Sequence, residues 1–193
     1  MNRLIGAFAV LVLSVALTLA AEPTAEQRQR NGKEKLAKAL AEARREGRPK
    51  WVADTPLDID IGNDYRTVRR AVDYRFQKGK PREAVKILYS LIDRGEGRTQ
   101  RFAEWYLPQG LVWADELAFA IVELKKRERD AAGAIALGHC YLAYDQYDDA
   151  LKHFERALKL AEKSRMKNLA EAQALSSIGD AWRAREDYEK AQA

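Results

Sequence analysis

The stretch LGHCYLAYDQYDDALKHFERAL, residues 137–158, falls into two apolar stripes on either side of a polar middle. Ala134, Leu137, Tyr141 and Tyr144 recur by threes and fours ahead of it, and Tyr147, Ala150, Leu151, Phe154, Ala157 and Leu158 do so behind it. That is the period of one face of an α-helix, so the spacing predicts two helices joined by a short turn. The stretch also holds the only cysteine, Cys140, and both histidines, His139 and His153. Adjacent residues on a helix point about 100° apart, so His139 and Cys140 diverge. A zinc site needs three or four converging ligands, and packing or surface placement is the favoured reading of all three. No metal and no cofactor are expected.

The order Leu137, Gly138, Tyr141, Tyr147, Ala150, Phe154 and Ala157 resembles the tetratricopeptide repeat signature. Small Gly138 and Ala150 would let the two helices approach, with Tyr141, Phe154 and Ala157 filling the space around them. The order returns as Ile178, Gly179, Trp182, Tyr188 and Ala191. The second copy lies about two helical turns further on than the family's period of roughly 34 residues, a form that looks like the long repeats of the kinesin light chain. The proline expected at the repeat's end is replaced by AEKSRMKNLAEAQ. The resemblance implies an all-α, right-handed α-solenoid of antiparallel helical hairpins, non-enzymatic, whose inner groove holds a protein or peptide. On this sequence that groove would include Ile135, His139, Leu142, Ser176, Asp180 and Arg183. Ile135 and Leu142 fit packing against a neighbouring hairpin equally well. The family's carboxylate clamp needs Lys and Asn where this chain has Ile135 and His139, and isoleucine has no donor, so capture of an acidic C-terminus is not expected.

Working upstream, Tyr65, Val68, Ala71, Val72 and Phe76 share one face. KGKP then turns the chain, and Pro81 opens a helix bearing Ala84, Val85, Leu88, Leu91 and Ile92. Val72 stands where the helix-packing glycine of the family belongs. Phe102, Trp105 and Tyr106 mark a short helix that LPQG should interrupt, and Val112–Leu124 is apolar on nearly all sides, as a buried helix would be. Residues 99–130 fit the repeat by length and by Ala118 and Val122. Residues 64–130 are thus expected as degenerate tetratricopeptide-like hairpins and 131–193 as repeats, the last incomplete.

Residues 1–21 have the form of a signal peptide: Arg3, an apolar run from Leu4 to Ala20, and small residues before Glu22-Pro23. Cleavage near Ala20 or Ala21 is favoured over retention as an anchor, and export to the periplasm or beyond is expected. Residues 22–63 read as a basic linker and lead-in. Leu36, Ala37, Leu40 and Ala41 allow an amphipathic helix over 33–45, with a stripe so narrow that it would order only by docking. The excess positive charge of the chain lies in this segment, so nucleic acid is not an expected partner. A solubilising tether, or weak contact with an anionic envelope surface, fits better.

Asp58, Asp60 and Asp64 suggest a calcium loop, but Arg69 sits where the closing glutamate should be; helix capping by Asn63 or Asp64 is the better reading. Ser164 and Lys167 form a Ser-x-x-Lys pair without its companion motifs. No nucleophile elbow, zincin or phosphate-loop pattern is present, and no catalytic residue is expected. The sequence stops at Ala193, shortly after the last repeat's second helix should begin. An open edge there would suit homo-oligomerisation, or the chain would be the recognition arm of a larger enzyme such as one with a caspase-like domain.

Overall fold

The computed structural model describes residues 23–53, 64–94, 97–126, 130–163 and 167–186, and among them every regular element is a helix. The expected signal peptide, the linker aspartates Asp58 and Asp60, Ser164, Tyr188 and Ala191 lie outside the described residues. The helices are α1 (Ala25–Glu46), α2 (Lys50–Ala53), α3 (Tyr65–Gln77), α4 (Pro81–Arg94), α5 (Gly97–Trp113), α6 (Leu117–Lys125), α7 (Ala131–Leu142), α8 (Tyr147–Ala161) and α9 (Lys167–Ala184). Helices α3 to α9 pack in chain order, each on the next, and α7 also touches α9. That is how successive hairpins bury their apolar faces against one another.

Four residues outside the usual backbone region register the hairpins. Gly79, Asp115, Asp145 and Glu186 have φ of 66°, 61°, 56° and 70°, and each sits in the turn that ends α3, α5, α7 or α9. Aligning on them superposes Ala84, Ala120 and Ala150, all fully buried, and likewise Leu88, Leu124 and Phe154. In residues 99–130 it is thus Ala120 and Leu124, rather than Ala118 and Val122, that share the turn register of Ala84 and Leu88. The shift arises because Asp115 takes the left-handed conformation and ends α5, with the Glu116 N–H donating to the Leu111 carbonyl. For the same reason Val112–Leu124 is not one helix: it turns at 114–116.

A second difference lies at Pro108. The expected interruption at LPQG does not occur, and α5 runs through the proline. An interior proline costs about 3 kcal/mol. Burial of Phe102, Leu107 and Leu111 outweighs that, at about 1.5–3 kcal/mol for each enclosed side chain.

The segment read as a basic linker is mostly helix α1. Thr24 and Gln27 close a reciprocal capping box at its start, and Gly47, at φ 72°, ends it with its N–H on the Ala43 carbonyl. The helix docks on α6. Leu36 and Ala43 are buried, but much of the attachment is polar and close-range, which a search for apolar periodicity does not register. Gly32 lies against the Tyr144 backbone, and the Gln146 side-chain amide donates to the Gln29 carbonyl at 2.8 Å. The Arg28 guanidinium reaches the Glu186 carboxylate at 2.6 Å and the Tyr147 hydroxyl at 3.2 Å. Beyond α1, Arg48 forms a two-pronged pair with Asp93 and stacks over the Tyr89 ring, and the Trp51 indole donates to Glu116. One N-terminal strap thus touches the hairpin turns at 114–116 and 143–146 and the end of α9.

The repeat signature occupies the interhelical contacts. Leu137, Gly138, Tyr141, Tyr147, Ala150, Phe154 and Ala157 are all buried, whereas Ile178, Gly179 and Trp182 are half-buried. Val72, at the position of the packing glycine, is fully buried.

Candidate functional site: the shared face of the first helices

The turn alignment brings one set of positions onto a common face of α3, α5, α7 and α9: Arg69 and Asp73, Trp105 and Gln109, Ile135 and His139, Ser176 and Asp180. The predicted groove residues therefore belong to a row that extends further toward the N-terminus.

Within the predicted part, His139 ties α7 to α9. Its Nε2 lies 3.1 Å from the Ser177 hydroxyl, whose own hydrogen goes to the Gln173 carbonyl at 2.9 Å. The hydroxyl can donate only once, so His139 Nε2 carries the proton and donates. The ring meets Phe154 edge-on at 5.1 Å. Loss of surrounding water pushes the imidazole's pKa down, and Asp180 partly opposes the shift. Asp180 is itself paired with Arg183 one helical turn on. Ser176 and Arg183 are exposed; Ile135 and Leu142 are half-buried against the core, combining the two roles their sequence allowed.

His139, Cys140 and His153 occupy three separate environments. Cys140 is 1% exposed, and burial pushes its thiol up to about 12. His153 stacks on the Tyr141 ring at 5.1 Å, away from His139. Among the described residues no cluster of three or more His, Cys, Asp or Glu could hold a metal ion. Asp64 caps α3, its carboxylate accepting from the Thr67 N–H at 2.8 Å; those bonds hold its pKa below the usual carboxylate range.

The feature that sequence reading passed over is α5. Trp105 is 70% exposed and Trp113 49%. Between α5 and α7 lies a cleft of about 360 Å³, lined by both tryptophans, Tyr106, Leu124, Ala132 and Ala136, with Gln109 and the α7 cap Asp130 as its polar lining. On the other side of Trp105 a second hollow runs toward α3, with Tyr65, Phe102 and Tyr106 as its aromatic lining. Phe102 stacks on Tyr106 at 5.1 Å, and Phe76 meets Trp113 at 4.4 Å. The signal was present in the sequence: Trp105 falls at the repeat position of Ile135, but only the turn at Asp115 discloses that register.

Residues 130–193 match the family model described as tetratricopeptide repeat, which supports that family for the C-terminal hairpins and a protein-binding role for them. No curated protein matches the chain.

Proposed function

We propose that this chain is an exported, non-catalytic adaptor that holds a protein partner against the shared face of its first helices. The observation that carries the reading is the register set by Gly79, Asp115, Asp145 and Glu186. It lines up Ile135, His139 and Leu142 with Ser176, Asp180 and Arg183, the positions through which the family resemblance implies partner contact. The hairpins would stack into a right-handed solenoid, and the 18 residues of α9 beside the 12 of α7 favour the long-repeat, kinesin-light-chain-like form. Export rests on the leader sequence alone. Helix α1 leaves Arg30, Lys33, Lys38 and Arg44 exposed, which suits weak contact with an anionic envelope surface.

Photo-crosslinking tests the groove. A benzoylphenylalanine placed at Arg183 or Ser176 in cells should trap a discrete partner, and one at exposed Glu155 on α8 should not. Equal trapping at all three positions would remove the groove from the proposal. Intact mass of the protein from fractionated cells tests export: loss of mass ending at Ala20 or Ala21 is expected, and retention of the leader in the cytoplasmic fraction would overturn it. Light scattering across a dilution series separates a homo-oligomer from a monomer that awaits a different partner.

A further inference from the structure

The hollow between α3 and α5 carries a charge pattern that the rest of the face lacks. Its lining includes Arg69, Arg98 and Arg101, all exposed, and no carboxylate among the described residues. Arg98 lies over the Tyr65 ring at 4.2 Å, a cation–π contact that holds its guanidinium beside the aromatic lining. Asp73 flanks the hollow, 3.5 Å from Arg69 Nε and 3.3 Å from the Tyr106 hydroxyl that donates to it. Among the described residues, one carboxylate, paired with Arg69, thus flanks a hollow lined by three guanidiniums. Trp105 and Tyr106 line this hollow and also the mainly apolar cleft between α5 and α7, so the two adjoin across these rings as a trough with a cationic end and a mainly apolar end, where Asp130, already engaged as the cap of α7, is the carboxylate in the lining.

We propose that this trough binds an acidic peptide segment in which clustered carboxylates adjoin one bulky apolar side chain, a specificity that rests on the adaptor reading above. The carboxylates pair with Arg98 and Arg101, whose fork of donors matches a carboxylate in two-pronged fashion. The apolar side chain enters the cleft that Trp105, Trp113, Ala132 and Ala136 line. Exposed aromatic and arginine side chains together are the residue types that dominate binding energy at interfaces. A nucleic acid strand would satisfy the cationic end but offers uniform charge to the apolar one. A peptide can change character between the two, and the trough changes character along its length.

A random-peptide display library, selected against the purified chain, tests this. Enriched sequences should share two or more acidic residues next to a leucine, methionine or aromatic residue. A labelled peptide of that consensus should bind about thirtyfold more weakly to Trp105→Ala, a loss typical of an interface hot spot. Trp105 is mostly solvent-exposed, so this variant should keep its fold, as circular dichroism would show. Arg98→Glu with Arg101→Glu should abolish binding, and raising salt should weaken it in the unmodified chain. Enrichment of peptides without acidic bias, or a consensus peptide indifferent to Trp105→Ala, would overturn the trough and leave the adaptor reading standing. A chain that enriches no peptide but retains a single-stranded oligonucleotide would overturn both.

Discussion

Gly138 and Phe154 approach so closely that a Cβ on the glycine would overlap the edge of the phenylalanine ring. Phe154 is fully buried, and His139, next to Gly138 on α7, meets its ring edge-on at 5.1 Å, so the ring has little room to retreat. Gly138→Ala should therefore destabilise the hairpin of α7 and α8 by about 1–3 kcal/mol through overpacking. For a chain of this size the thermal midpoint should fall by about 2–4 °C per kcal/mol. A melt followed by circular dichroism reads it; an unchanged midpoint would mean that the ring can move aside.

Gly32 makes the corresponding contact between α1 and the array, but there the obstacle is backbone. An added methyl would strike the Tyr144 carbonyl oxygen, which belongs to a turn held by the Gln146 N–H on Tyr141 and by the left-handed Asp145. A carbonyl fixed in this way cannot rotate out of reach as a side-chain tip can. Gly32→Ala should detach α1 while leaving α7 and α8 folded. Hydrogen exchange would show amides of 25–46 losing protection, with those of 131–161 unaffected; uniform loss would mean that α1 is integral to the core instead.

The two glycines also mark how far the sequence could be read. Gly138 stands in a repeat order with Leu137, Tyr141 and Phe154, and its packing role follows from spacing. Gly32 lies in a charged segment with a thin apolar stripe, and the helix there is held by Arg28, Gln29 and Gln146 on partners more than a hundred residues away. Such contacts leave no local period. The candidate site divides similarly. His139 and Asp180 could be placed from the signature, whereas Trp105 was hidden because Pro108 suggested a break and the register of α5 depends on the backbone sign of φ at Asp115.

Cys140 should be unreactive in the folded chain. Its thiol is enclosed and its pKa is pushed up to about 12, so almost no thiolate exists at neutral pH. Labelling by an aromatic disulfide reagent at pH near 8 should be negligible and should accelerate sharply once denaturant opens the α7–α8 hairpin, whose helix α7 carries Cys140. The labelling rate then measures opening of that hairpin. Immediate stoichiometric labelling without denaturant would contradict the burial.

His139 should make stability fall as the medium is acidified. Its folded-state pKa is lowered, chiefly by loss of water around the ring, so below the ordinary imidazole value of about 6.5 the unfolded chain binds a proton more readily than the folded one. Stability from this group is therefore fully present above that value and is lost as pH falls from there toward the lower folded-state pKa. The ring keeps an exposed edge, so the effect should be modest. Asp180 opposes the shift; Asp180→Ala should depress the pKa further and steepen the loss, and His139→Gln should abolish it while keeping a donor for the Ser177 hydroxyl. Urea midpoints compared at about pH 7.5 and 5.5, on either side of the imidazole range, isolate the term as a difference between the unmodified chain and His139→Gln. The same acid-induced loss in both would assign the pH dependence to carboxylates elsewhere in the array.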